Sequence, residues 1–419
     1  MIMMLVAMLD YAQAQTFKFD FTGDKKPLQD FTAITPESRF TPEKGYGYDI
    51  MAAWDGKSNA PFFFSVNVPD GNYKVTVTLG SKKYDGKTTV RAESRRMFVN
   101  NLPTRKGELV QRTFVVNKRN VVIEGKEKVK IKPREKTSMN WDDKLTLEFN
   151  GPAPRVSYIE IEPAPEVPTV FLCGNSTVVD NDAEPYTGWG QMLPYFFNEK
   201  VSVANYAESG LSANTFLGGL RLKKALTQMK KGDYVVIEFG HNDQKQKGPG
   251  IGAYYSFAYY IKQFIDRAML KGATPILVTP TRRRQYDKSG KIRDTHGDYP
   301  AVIREIAARE NVALVDFQEM TKIMIEAAGE EASKRMFVHY PMGTFKGQEK
   351  ELKDNSHFSN FGAYEISKCF IEGIKAAGLP LAKYVRADYK SFNPAKPDRF
   401  VDFEYSMSPF VLTTKPAGN

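Results

Sequence analysis

Apolar residues change their spacing part-way along the chain. From residue 17 to about residue 161 they recur mainly at every second position. Phe17-Lys18-Phe19-Asp20-Phe21 alternates, as does Tyr73-Lys74-Val75-Thr76-Val77-Thr78-Leu79 after the turn signal Pro69-Asp70-Gly71-Asn72. Alternation puts one set of side chains on one face of a strand. Further strands are predicted over 89–92, 112–116, 144–149 and 156–161, and hardly any stretch keeps a helical period. Short strands separated by turns predict an all-β sandwich or jelly roll. The tract Glu162-Pro163-Ala164-Pro165-Glu166-Val167-Pro168 then reads as a stiff linker.

Beyond Pro168 the apolar positions form continuous short runs separated by amphipathic stretches. Strands are predicted over 170–173, 201–205, 234–239, 275–279 and 312–316, with helical stretches such as 213–229 and 253–270 between them. Continuous apolar strands alternating with helices predict a parallel sheet covered on both faces, an α/β fold. The expected organisation is a β-sandwich over 15–163, a linker over 164–168 and an α/β domain over 169–390. The extension 391–419 holds Phe400, Phe403, Tyr405 and Phe410, too aromatic for a free tail, and is expected to pack on a domain.

Composition narrows the classes. At 419 residues the chain suggests more than one domain, and no apolar run approaches the ~20 residues a membrane span needs. Residues 1–14 read as an export signal: 2–9 are apolar and Ala12-Gln13-Ala14 gives small-x-small cleavage before Gln15, although a positively charged leader is missing. A periplasmic or secreted location follows as an expectation. Cys173 and Cys369 are expected as buried thiols, because two cysteines make no disulfide framework and neither has metal-ligand spacing. The formal charge is +10, with basic runs at 126–134 and at Arg282-Arg283-Arg284. Such runs read first as solvated surface, and secondarily as attraction for an acidic polymer. No helix-turn-helix, zinc-finger or RNA-recognition pattern accompanies them, so nucleic acid is not the expected partner and an acidic polysaccharide is at least as compatible.

Four short pieces carry chemistry: Gly174-Asn175-Ser176, Gly210, Gly240-His241-Asn242-Asp243 and Asp354-Asn355-Ser356-His357. Each of the first three follows a predicted strand, and in open parallel sheets sites form beyond the strands' carboxyl ends. Ser176 at a strand-to-helix turn is the candidate nucleophile, a weak one until a base takes its proton. Its backbone N–H, the Gly210 N–H and the Asn242 side-chain amide are candidate oxyanion donors. Asp354 and His357, three residues apart, let a carboxylate hold one imidazole nitrogen while the other faces Ser176. Of the other histidines, His241 is expected to brace its loop and His339 to be structural. His296, in Asp294-Thr295-His296-Gly297-Asp298, reads equally as a substrate contact or a surface-loop residue. The polar, cationic stretch 281–286 makes Arg283 a second candidate substrate contact. Trp54 and Trp141 read as core residues before sugar-stacking ones. Rival motifs fail: Val178 replaces the second glycine of Gly-x-Ser-x-Gly, Gly248-Pro249-Gly250-Ile251-Gly252 follows no strand, and no zinc motif is present.

The four blocks resemble the SGNH/GDSL hydrolases over about 168–381. Gly188-Trp189-Gly190-Gln191, Thr279-Pro280-Thr281-Arg282-Arg283-Arg284, Asp294-Thr295-His296-Gly297-Asp298-Tyr299-Pro300 and the run 354–363 are similar to the rhamnogalacturonan acetylesterase branch, carbohydrate esterase family 12. The β-rich half resembles galactose-binding-like modules of bacterial polysaccharide esterases. These resemblances imply a flavodoxin-like α/β/α sandwich preceded by the β-sandwich, and removal of O-acetyl groups from a pectic polysaccharide without metal or cofactor. Asn175 stands where that family has Asp beside the nucleophile. The rival readings are a lysophospholipase or thioesterase of the same superfamily, which needs an apolar acyl channel, and a non-catalytic glycan-binding protein.

Overall fold

A computed structural model describes residues 15–416; the expected export signal lies outside the described residues. The first half forms β1 (Phe17–Asp20), β2 (Thr32–Ala33), β3 (Tyr46–Asp49), β4 (Phe62–Asn67), β5 (Gly71–Gly80), β6 (Gly86–Ala92), β7 (Arg96–Thr104) and β8 (Leu109–Lys118). A short hairpin of β9 (Val122–Glu124) and β10 (Glu127–Lys128) follows, then β11 (Lys144–Ala153) and β12 (Val156–Pro163). One antiparallel sheet runs β3-β4-β11-β6-β7, and the facing one β8-β5-β12-β1-β2. Alternation explains the core. Phe19, Phe64, Val75, Val77, Leu147 and Ile159 point inward and are buried between the sheets, while Lys74 and Glu162 pair on the outer face.

The second half supplies β13 (Thr169–Cys173), α1 (Trp189–Met192), β14 (Ser202–Asn205), α2 (Ala213–Gly218), α3 (Arg221–Gln228) and β15 (Tyr234–Glu238). Then come α4 (Ala258–Leu270), β16 (Thr274–Val278), α5 (Tyr299–Arg309), β17 (Ala313–Val315), α6 (Phe317–Ser333), the hairpin β18 (Phe337–Tyr340) and β19 (Leu352–Phe358), and α7 (Asn360–Ala376). The parallel order is β14-β13-β15-β16-β17, the 2-1-3-4-5 order of flavodoxin-like sheets, whose sites form at the switch point beside the first strand. Successive residues feed opposite faces. Val170 and Leu172 join Trp189, Phe317 and Phe370 on one side, and Phe171 and Cys173 join Phe216, Phe264 and Ile303 on the other. Cys173 and Cys369 are both buried and free, on opposite faces of the sheet.

Two predicted helices are broken. The stretch 213–229 divides at Gly218-Gly219, with Leu220 left-handed at φ 64°. The stretch 253–270 opens on a π turn over Ala253–Phe257 before α4 begins. No helix among the described residues is long and apolar enough to cross a membrane.

The halves share one sheet, because β8 pairs with β14 in parallel at Val116 and Val203. The proline-rich tract between them is packed in place: the Ala164 N–H donates to Asn72 O at 2.8 Å, and Ala164 and Val167 are buried against Val115. The extension from residue 391 crosses both halves. Phe403 packs on Phe361 and Tyr364, Phe410 on Phe63, and the Leu412 N–H donates to Glu184 O at 2.7 Å.

Candidate active site

Ser176 lies just past β13 in a tight turn where the Val178 and Val179 N–H groups both donate to Asn175 O at 3.1 Å. Gly174 has to be small here, since a Cβ would sit 2.5 Å from Val178 Cγ2. Asn175 Oδ1 accepts the Thr177 N–H at 3.0 Å and hydroxyl at 2.9 Å, so the amide holds this turn without a charge. The loop after β14 is tied to it by Glu208 N–H on Gly174 O at 3.4 Å, and reverses at Gly210, whose φ of +77° favours glycine. Asn242, after β15, donates its amide to Leu211 O at 2.9 Å. Asp243 staples the second and third loops by accepting the Ala213 N–H at 2.7 Å and the Gly240 N–H at 2.9 Å. An amide nitrogen carries two N–H groups, so Asn242 keeps a donor beyond the one given to Leu211.

The acid–base pair comes from β19. Its ladder to β18 passes from Phe337–Phe358 directly to His339–Lys353, so the four residues 354–357 bulge out opposite Val338. Inside the bulge Asp354 Oδ1 accepts the N–H groups of Ser356 (2.8 Å) and His357 (3.0 Å). Asp354 Oδ2 lies 2.7 Å from His357 Nδ1, and His357 Nε2 lies 3.0 Å from Ser176 Oγ. All three side chains are buried, and Tyr186 meets the imidazole edge-on. Burial alone would raise the Asp354 carboxyl, but the His357 ring N–H and the two backbone donors hold it down to about 2. An ionised Asp354 fixes the proton on Nδ1 and leaves Nε2 able to accept the serine's.

The two candidate substrate contacts are both buried. His296 is fully buried, its Nε2 3.1 Å from His241 Nδ1, and His241 Nε2 is 3.2 Å from Thr281 Oγ1. It is neither a surface-loop residue nor accessible to a polymer. Burial drives both imidazoles toward the neutral form, His296 to about 3. Arg283 is also buried and donates to Thr295 O (3.1 Å) and His241 O (3.3 Å), bracing the floor of the site. Its neighbours Arg282 and Arg284 are buried too, so this basic run is not solvated surface. His339 and Arg284 both bond Asn355 Oδ1 and hold the bulge. Trp54 and Trp141 are buried. Among the described residues no group of three or more His, Cys, Asp or Glu could hold a metal ion.

Residues 172–340 match the model of the GDSL-like Lipase/Acylhydrolase family. The chain is 40% identical over 218 residues to the rhamnogalacturonan acetylesterase RhgT of Bacillus subtilis (strain 168), which spans 52% of this chain and 93% of RhgT. The chain belongs to the GDSL/SGNH hydrolase family. An uncharacterized esterase of the same bacterium, YxiM, is 24% identical over 392 residues, 88% of this chain and 93% of its own. The crystal structure of YxiM covers 87% of this chain and 99% of that one at 23% identity, with a TM-score of 0.49.

As a GDSL/SGNH hydrolase the chain holds several residues at the site that the sequence reading passed over. Glu238 ends β15 fully buried beneath the nucleophile turn, bonded to Thr177 Oγ1 (2.9 Å) and the Trp189 indole N–H. Burial pushes its carboxyl up to about 7. The Thr177 hydroxyl faces acceptor oxygens on both Asn175 and Glu238 but has one proton; a protonated Glu238 supplies the second. The signal was legible: an acid closing the apolar run Tyr234-Val235-Val236-Ile237. A cleft of about 220 Å³ beside the triad is lined by Arg134, Asp180, Asn181, Tyr186, Ser209 and Lys415 among others, so both halves and the C-terminal extension wall it. Lys415 Nζ lies 3.7 Å from Asp354 Oδ2.

Proposed function

We propose that this hydrolase is a serine esterase that removes O-acetyl groups from a carbohydrate, with pectic rhamnogalacturonan as its polymer. The observation that carries the chemistry is the series Ser176 Oγ, His357, Asp354 at 3.0 and 2.7 Å. Ser176 Oγ attacks the acetyl carbonyl while His357 Nε2 takes its proton. The oxyanion is held by the Ser176 and Gly210 N–H groups and the Asn242 amide, and collapse releases the sugar hydroxyl, protonated by His357. Water, deprotonated by the same imidazole, then cleaves the acyl-Ser176 ester to acetate. No cofactor enters these steps.

The substrate class is supported by the likeness to RhgT. That likeness favours carbohydrate over the lysophospholipase or thioesterase reading. Asn175 still holds the nucleophile turn by hydrogen bonds, which favours an active enzyme over a non-catalytic glycan binder. Ser176→Ala is expected to keep the wild-type circular dichroism and lose p-nitrophenyl acetate hydrolysis; turnover undiminished in that variant refutes the mechanism. Acetate release from acetylated rhamnogalacturonan, xylan and mannan tests the polymer, and a preference for xylan or mannan overturns that part alone.

A further inference from the structure

The basic run 126–134 leaves the β-sandwich and ends against the second oxyanion loop. Two of its cations converge on one atom: Arg134 Nη2 donates to Ser209 O at 2.7 Å, and Lys132 Nζ donates to the same oxygen. Ser209 O belongs to the peptide unit that carries the Gly210 N–H. That peptide is trans, so its C=O and N–H point in opposite directions, and holding the oxygen from one side aims the N–H toward the other. Charge-assisted donors on a carbonyl also draw electron density from the amide nitrogen and strengthen its N–H as a donor. The clamp is itself anchored. Arg134 Nε donates to Glu208 Oε1 at 2.9 Å, and the neighbouring Glu135 pairs with Arg221 and accepts the Trp141 indole N–H at 3.0 Å. Lys132 is half-buried, and no surface interaction is needed to explain where its ammonium goes.

We infer that Lys132 and Arg134 are positioning residues of the esterase, fixing and polarising the Ser209–Gly210 peptide so that its N–H is a stronger oxyanion donor. The inference rests on the proposed serine-esterase reading and on Gly210 as one of the donors. It makes the sandwich half a contributor to transition-state stabilisation. A donor strengthened through its own peptide acts where charge develops and not on the neutral ester, so its loss belongs in kcat and not in KM.

The test is the full chain carrying Lys132→Gln and Arg134→Gln together, with Arg134→Lys as the conservative variant and Lys136→Gln, from the same segment, as control. On p-nitrophenyl acetate kcat of the double variant should fall about tenfold, less than the about 100–1000-fold that removal of a donor itself typically costs. KM should change less than about twofold. Affinity for a methylboronic acid that forms a tetrahedral adduct on Ser176 should fall in step with kcat. Arg134→Lys should recover a large part of the loss, and Lys136→Gln should match wild type. If the double variant does not fold, Arg134→Gln alone, at a half-exposed side chain, gives the same readout with a smaller loss. Unchanged kcat and boronate affinity, or a loss that appears only in KM, overturns the inference. Should Ser176→Ala remain active, the esterase reading itself fails; an inactive Ser176→Ala beside an unchanged double variant removes this inference alone.

Discussion

Asp354 joins stability and chemistry in one side chain. Its carboxyl stands at about 2 in the folded protein against an ordinary 3.8, so the unfolded chain binds the proton more readily. Stability from this group is therefore complete above about pH 4 and is lost as pH falls through about 2. Asp354→Asn should cost on the order of 2 kcal/mol near neutrality, and its melting temperature should converge on that of wild type as the buffer goes from pH 5 toward pH 2. A gap that is constant over that range contradicts the ionised carboxylate. The same substitution should lower kcat by about 10⁴-fold, because an amide cannot enforce the Nδ1–H tautomer. Asp354 and His357 were legible in the sequence because four histidines leave few ways to build a base, and a three-residue offset suits one carboxylate gripping one ring. His296 was misread for a physical reason. Its Asp-Thr-Gly-rich surroundings have surface-loop composition, yet the ring is buried by partnering His241, a pairing no local pattern reveals.

The elements that were legible are those whose own residues repeat. β5 and β13 declare themselves by alternation and by continuous apolar character, whereas β4, β3 and β7 do not. Phe62-Phe63-Phe64-Ser65-Val66 is apolar on both faces because the outer one is covered as well, Phe63 by Phe410. The bulge holding Asp354 and His357 leaves no local signal in the sequence, since only the pairing partner shows that four residues lie opposite one. The start of α7 packs closely on the hairpin that carries that bulge. A Cβ at Gly362 would lie 1.8 Å from Met336 O, the residue that leads into β18. Gly362→Ala must push α7 off the β18–β19 hairpin, and overpacking of this kind typically costs about 1–3 kcal/mol or more. The expected outcome is a lower urea midpoint together with a fall in kcat as His357 leaves hydrogen-bond reach of Ser176. A variant with wild-type stability and turnover would show that the hairpin and helix are not locked together.

At the scale of the molecule the sequence read as two domains and a linker, while the fold makes the halves interdependent. The turn joining β6 to β7 enters the catalytic half. Arg95 at its tip donates to Ala183 O (2.8 Å), Tyr186 O (3.1 Å) and Asn360 Oδ1 (3.0 Å) and pairs with Glu184 at 2.6 Å, both members of that pair being buried. Arg96 reaches Asp180 at 3.2 Å, and Arg119, stacked against Trp141 and Tyr206, bonds Asn205 O at the end of β14. Composition could not disclose this, because arginine is read as surface until a partner is known. Truncating one member of such a buried pair costs about 3–5 kcal/mol, since the other charge stays behind without compensation. Removing the whole sandwich takes away the arginine partners of Glu184 and Asp180, bares the β14 edge that pairs with β8, and strips two donors from Ser209 O. Residues 164–416 expressed alone should therefore show no cooperative thermal transition and no p-nitrophenyl acetate hydrolysis. An appended binding module would instead leave a catalytic half that melts and turns over as the full chain does, so the truncated protein's melting curve and kcat decide between the two architectures.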